Sequence, residues 1–137
     1  MSNEATLRAF MQRVWNEHDK NAVAEYLHSS YTIFLDGGDP YEGRTLNQEE
    51  FIKRLDASFI PFPDIHFEIQ TLIEELNTIG ITWIMTGTNL GPLGRYPATG
   101  KPINTNGITI YHFTHGKISG HSQVYDRRVV SKQLGFL

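Results

Sequence analysis

Between Pro61 and Pro63 the spacing of apolar residues changes from three and four to two, which divides the chain into a helical half and a stranded half. Before the change, Leu7, Phe10, Met11, Val14 and Trp15 predict an amphipathic helix over 4–17, with Ser2 or Asn3 as N-cap and Glu4 in the first turn. Val23, Tyr26 and Leu27 predict a short second helix over 20–28. Tyr31 to Leu35 is β-rich and stops at the turn sequence Asp36-Gly37-Gly38-Asp39-Pro40. Asn47 and Glu50 open a third helix with a capping box, and Phe51, Ile52, Leu55 and Phe59 face inward along it. After the change, Ile65, Phe67 and Ile69 alternate with His66, Glu68 and Gln70. Ile79–Thr88 is a second strand, and Ile103–Phe113 with Lys117–Asp126 predicts a hairpin about His115-Gly116. The Gly- and Pro-rich segment 87–102 reads as an ordered loop, and the tail 127–134 as a helix closed by Gly135. Helices followed by long strands predict an α+β domain over residues 1–137. The sheet is expected to be curved and antiparallel, with the N-terminal helices across its concave face and a pocket between.

Several chemistries are excluded by composition and motif. There is no cysteine, so disulfides, thiolate metal sites and cysteine nucleophiles are absent, which fits a reducing, cytoplasmic setting. A net charge of -3 without clustered Lys and Arg argues against nucleic acid and anionic membranes as partners. No apolar stretch reaches the length of a membrane span, and no signal segment opens the chain. No G-K-[ST] phosphate loop and no G-x-S-x-G elbow occurs. The six histidines show neither H-x-H nor H-E-x-x-H spacing, so no metal is expected.

The candidate site lies on the hairpin. A turn near 115–117 sets His112 opposite Gly120, Ile110 opposite Ser122 and Asn106 opposite Asp126. His112, Ile110, Ile108 and Asn106 then share a face with Ser122, Val124 and Asp126. If that face looks into the pocket, Asp126 is a general acid/base held on an apolar wall, with His112 assisting. The alternative has Asp126 capping the C-terminal helix and His112 on the wet side of its strand. His121 has the opposite parity and is expected to point away from the pocket, and His18 is expected to be structural. Trp15, Tyr26, Phe34, Phe51 and Trp83 are available to line the pocket, with plain core packing as the alternative.

The chain resembles a known family in Phe62-Pro63-Asp64-Ile65-His66-Phe67-Glu68-Ile69, in Trp83 to Gly87-Thr88, and in Gly94-x-x-Pro97-x-Thr99-Gly100-Lys101. The resemblance continues in Gly107-Ile108-x-Ile110-Tyr111, Gly116-Lys117-Ile118, Asp126 and Gln133-Leu134-Gly135. These segments, in this order, resemble SnoaL-like polyketide cyclases, also called ester cyclases. The resemblance implies the α+β cone of the nuclear-transport-factor-2-like superfamily and a homodimer or higher oligomer through the outer sheet face. It also implies intramolecular aldol ring closure of a polyketide without metal or cofactor, with a carboxylate at Asp126 moving the proton and His112 nearby. Three positions depart from the family pattern: Phe34 where a histidine is frequent, Ser122 where tryptophan is, and Gly120 where glutamate is. The last two changes are expected to widen the pocket wall or remove charge from it. The expected function is a cofactor-independent cyclase or isomerase acting on a small apolar carbonyl compound. The alternative is a non-catalytic small-molecule binder or dimeric scaffold.

Overall fold

In the computed structural model, which describes residues 1–137, the Ser2 hydroxyl accepts from the Ala5 amide at 3.1 Å and starts helix α1, Asn3–Phe10. The helix widens into a π-helical turn over Met11–Asn16, a form that re-aims side chains within a continuous helix. Asn16 fixes its end to the sheet: its Nδ2 donates to the Phe67 carbonyl at 3.0 Å, and the Phe67 amide donates to its Oδ1 at 2.8 Å. His18 follows with a φ of 59°, stacked on Phe59 at 4.2 Å, a structural role as expected. The second helix is shorter than its apolar spacing predicts: a 3-10 turn at Lys20–Ala22, then α2, Val23–Tyr26. Leu27 and His28 already belong to strand β1, Leu27–Asp36.

A two-residue strand β2, Thr45–Leu46, precedes α3, Gln48–Phe59, whose Asn47–Glu50 capping box is complete on both sides. The remaining elements are β3, His66–Glu75; β4, Thr78–Thr88; β5, Pro102–Thr114; β6, Lys117–Tyr125; and α4, Arg127–Gln133. The six strands form one curved sheet in the order β2-β1-β6-β5-β4-β3. The sheet departs from the expected one in a single respect: β1 joins it and pairs parallel to β6, so it is mixed, with the other pairings antiparallel. The β5–β6 turn lies at His115 and Gly116, both at positive φ, the backbone a two-residue hairpin requires.

One face of this sheet carries the core. Ile79, Ile81, Trp83 and Met85 alternate inward along β4 and pack with Leu7, Phe10, Phe51 and Leu55 of the helices. The segment after β4 is ordered by the fully buried Asn89, whose side chain makes four hydrogen bonds. Its Nδ2 donates to the carbonyls of Pro61 and Gly91, and its Oδ1 accepts from the amide and hydroxyl of Thr99. Tyr96 of the same loop stacks on Phe136 at 4.2 Å, which closes the loop against the C-terminus. No helix is long and apolar enough to cross a membrane.

Candidate active site

The helices and the sheet enclose a cavity of about 200 Å³. Phe10, Met11 and Trp15 reach it from α1 and its π turn, Phe51 and Arg54 from α3, and Phe67 and Trp83 from β3 and β4. Trp15, Phe67 and Trp83 meet edge to face at 5.2 Å, so this part of the wall is aromatic and stiff. The opposite part is polar and is built by β1, α3, β6 and the start of α4: Tyr31, Arg54, His121, Gln123, Tyr125 and Arg127.

The hairpin register is the expected one, with His112 opposite Gly120 and Ile110 opposite Ser122, but the face that looks into the cavity is the other one. Thr109, Tyr111 and His121 are buried on the inner side, while Ile108 is 56% exposed and Val124 72%. Asn106, Ile110, Ser122 and His112 lie with them on the outer side, and none lines the cavity. Asp126 is exposed and its Oδ1 accepts from the Arg128 amide at 2.9 Å, the capping role given above as the alternative. His112 packs edge-on against Phe34 at 5.1 Å on the same outer surface, so Phe34 does not line the cavity either. Tyr26 is buried outside the cavity, and Trp15, Phe51 and Trp83 do line it. The Ser122 and Gly120 departures therefore leave the cavity unchanged. Gly120 is required by the approach of β1, because a Cβ there would sit 2.5 Å from the Thr32 carbonyl oxygen.

The expectation that His121 points outward is thus reversed, and the reason is packing. Gly107 of β5 lies directly under Trp83, with no room for a Cβ (2.4 Å), so the odd positions of β5 must face the same side as the odd positions of β4. That leaves Thr105, Thr109 and His121 inside with Ile103, Tyr111 and Phe113, and Ile108 and Ile110 outside. Polar groups on the inner side pair with each other: Trp83 Nε1 donates to Thr109 Oγ1 at 2.8 Å, and Thr109 donates to Gln123 Oε1 at 2.8 Å.

The alternation of β4 was the available signal, since Ile79, Ile81, Trp83 and Met85 mark its inner face and odd positions pair with odd across β4 and β5. Asp36 carried no such signal. Strict alternation from Tyr31 and Ile33 would turn it outward, but the β1–β6 register shifts between Ile33 and Leu35, and this irregularity brings Asp36 inside at 1% exposure.

Asp36 organises the polar end. Its carboxylate accepts from His121 Nε2 at 2.9 Å, from Arg54 Nη2 at 3.0 Å and from Arg127 Nη2 at 3.0 Å. Burial alone would push its pKa up, but the His121 hydrogen bond and the two guanidiniums outweigh it and hold the carboxyl below its ordinary value. His121, 3% exposed, is held below its ordinary value mainly by burial, which the Asp36 hydrogen bond only partly offsets. The imidazole is therefore neutral, and because an ionised Asp36 can only accept, its proton sits on Nε2. Nδ1 is then the acceptor for the Tyr31 hydroxyl, 2.5 Å away. Burial pushes Tyr31 well above its ordinary value and raises Tyr111 and Tyr125 as well, so all three phenols stay protonated. Arg127 also donates to the Gly37 carbonyl and the Tyr125 hydroxyl at 2.7 Å, tying the β1 turn to the end of β6. No three His, Asp or Glu side chains gather as metal ligands.

The arrangement is a one-ended pocket with a hydroxyl–imidazole–carboxylate chain at its polar end. Known proteins share its frame. The family model for SnoaL-like polyketide cyclases matches residues 5–134. A candidate polyketide cyclase from Acidithiobacillus ferrooxidans is 35% identical, with 98% of this chain and 97% of that one covered at a TM-score of 0.91. IdmH from Streptomyces antibioticus, another candidate polyketide cyclase, shares the fold at 20% identity, covering 98% and 99% with a TM-score of 0.84. A SnoaL-like polyketide cyclase from Agrobacterium tumefaciens does so at 17%, covering 98% and 99% with a TM-score of 0.78. Among curated proteins none matches the sequence. The residues matched by the family model and the 35% identical structure, each spanning nearly all of the chain, show that it belongs to the SnoaL-like polyketide cyclase family.

Proposed function

We propose that the chain is a cyclase- or isomerase-type enzyme in which its own side chains move one proton on a small, apolar, carbonyl-bearing, polyketide-like substrate. The observation that carries this reading is the Tyr31–His121–Asp36 chain at the polar end of an otherwise apolar cavity. Family and fold support a cyclase-type role. The proton carrier is assigned to this chain rather than to Asp126 with His112, since neither of those lines the cavity.

In the proposed step, the Tyr31 oxygen takes a proton from the carbon beside a substrate carbonyl while its own proton passes to His121 Nδ1. The imidazolium so formed is stabilised by Asp36. The enolate carbon then attacks a second carbonyl carbon: a C–C bond forms, the C=O π pair moves to oxygen, and the alkoxide recovers the proton along the same path. One C–H bond is exchanged for one O–H bond, and no redox step is required.

The test is proton-for-deuterium exchange and ring closure of single-ring aryl 1,3-diketones in heavy water, followed by NMR. His121→Asn is expected to lose about 10²–10⁴ of the rate, the usual worth of a positioned acid/base, while Asp126→Asn keeps it. The opposite pattern would return the role to Asp126. If neither protein nor variant exchanges any of the panel, the non-catalytic binder or scaffold is the better reading.

Homodimerisation is proposed through the outer sheet face, where Phe34, Leu35, Ile108, Ile110 and Val124 are exposed together. Light scattering at micromolar concentration checks it, and a monomeric mass would contradict it.

A further inference from the structure

Arg54 is held more tightly than a surface cation and yet is not used up. Its side chain is 11% exposed, Nε donates to Asp39 Oδ2 at 3.0 Å, and Nη2 donates to Asp36 Oδ2 at 3.0 Å. Nη1 has no acceptor in the protein, and no buried side-chain polar atom is left unpaired, so Nη1 keeps accessible surface on a residue that lines the cavity. Two carboxylates fix the plane of the guanidinium, which makes the free nitrogen a preorganised donor.

The charges around it are balanced. Arg54 and Arg127 face Asp36 and Asp39, while Tyr31, Tyr111, Tyr125 and His121 are neutral. An anion entering this cluster needs one added positive charge, and His121 supplies it by taking the ligand's own proton through Tyr31. A ligand whose hydroxyl acidity is close to that of imidazole meets the condition, as enols of 1,3-dicarbonyls and activated phenols do. Size narrows the class further: an apolar cavity of about 150 Å³ takes up one benzene, so about 200 Å³ is room for one ring with short substituents.

We propose that the cavity binds single-ring enols and phenols as their oxyanions, with Arg54 Nη1 as the donor to the charged oxygen. This rests on the proton-transfer reading above for the role of His121, and it adds the substrate class and a further catalytic residue.

4-Nitrophenol is the probe, because its anion has its own visible absorption band. At a pH below the probe's own pKa, the wild-type protein is expected to bind it and raise the phenolate band. Arg54→Gln is expected to weaken that binding about tenfold or more, the loss of one charge-assisted hydrogen bond, with folding checked by circular dichroism. Arg54→Lys, which keeps the charge but not the fork that reaches both carboxylates, serves as the second variant and is expected to bind less than wild type. A fused three-ring phenol is expected not to bind. Phenolate binding unchanged in both Arg54 variants, binding of the neutral phenol only, or tight binding of the three-ring phenol would each overturn the proposal. The two readings fail separately: nitrophenolate held by Arg54 without carbon exchange sinks the proton shuttle alone, and exchange without nitrophenolate binding sinks this one.

Discussion

The two faces of the β5–β6 hairpin use opposite logic. The outer face exposes Ile108, Ile110 and Val124 beside Asn106, His112 and Ser122, while the inner face buries Thr105, Thr109 and His121 among Ile103, Tyr111, Phe113 and Ile118. Hydropathy alone therefore does not sort the two faces. Thr109 and His121 cost little because both are paired: Thr109 with Trp83 and Gln123, His121 with Tyr31 and Asp36. A buried polar face survives when its network is complete, and a site that moves protons is where such a network is worth keeping.

Breaking the inner network at its hub should have the largest effect. Asp36→Ala leaves His121 and two guanidiniums without their shared acceptor and is expected to cost about 3–5 kcal/mol, read by urea denaturation. Thr109→Val keeps the shape but strands Trp83 Nε1 and Gln123, for about 1–3 kcal/mol.

Acid should reveal His121. Its folded-state pKa is depressed, so the unfolded chain binds the proton first. Stability is full above the ordinary value of 6.5 and falls as pH drops through it, with a slope of at most about 1.4 kcal/mol per pH unit. Asp36, also depressed, adds its own loss only below 3.8. Denaturation midpoints at a series of pH values check this, and His121→Gln should erase the first decline and leave the second.

Outside the network the effects shrink. Asp126→Ala should cost about 1 kcal/mol as a lost N-cap, and Asp126→Asn almost nothing, because asparagine caps as well as aspartate. Val124→Thr should change stability by no more than about 0.5 kcal/mol in the isolated chain. A larger drop would mean that the outer face is covered in solution, and the contrast between the faces would then be one between two kinds of burial.

Much of this molecule was legible residue by residue. The change of period near Pro61, the Asn47–Glu50 capping box, the His115-Gly116 turn and the pairing of Ile110 with Ser122 are local facts, set by backbone geometry within a few residues. What alternation does not contain is a sign: period two divides a strand into two faces without saying which is inside. The packing of Trp83 over Gly107 decided that, and it moved the candidate site from Asp126 and His112 to His121. Asp36 was decided later still, because the irregularity that turns it inward exists only where β1 lies beside β6, about 85 residues along the chain. Local spacing determined most of the elements and the register of the β5–β6 hairpin. Only contact between distant elements could choose the inner face, since burial belongs to the assembled layers and to no single strand.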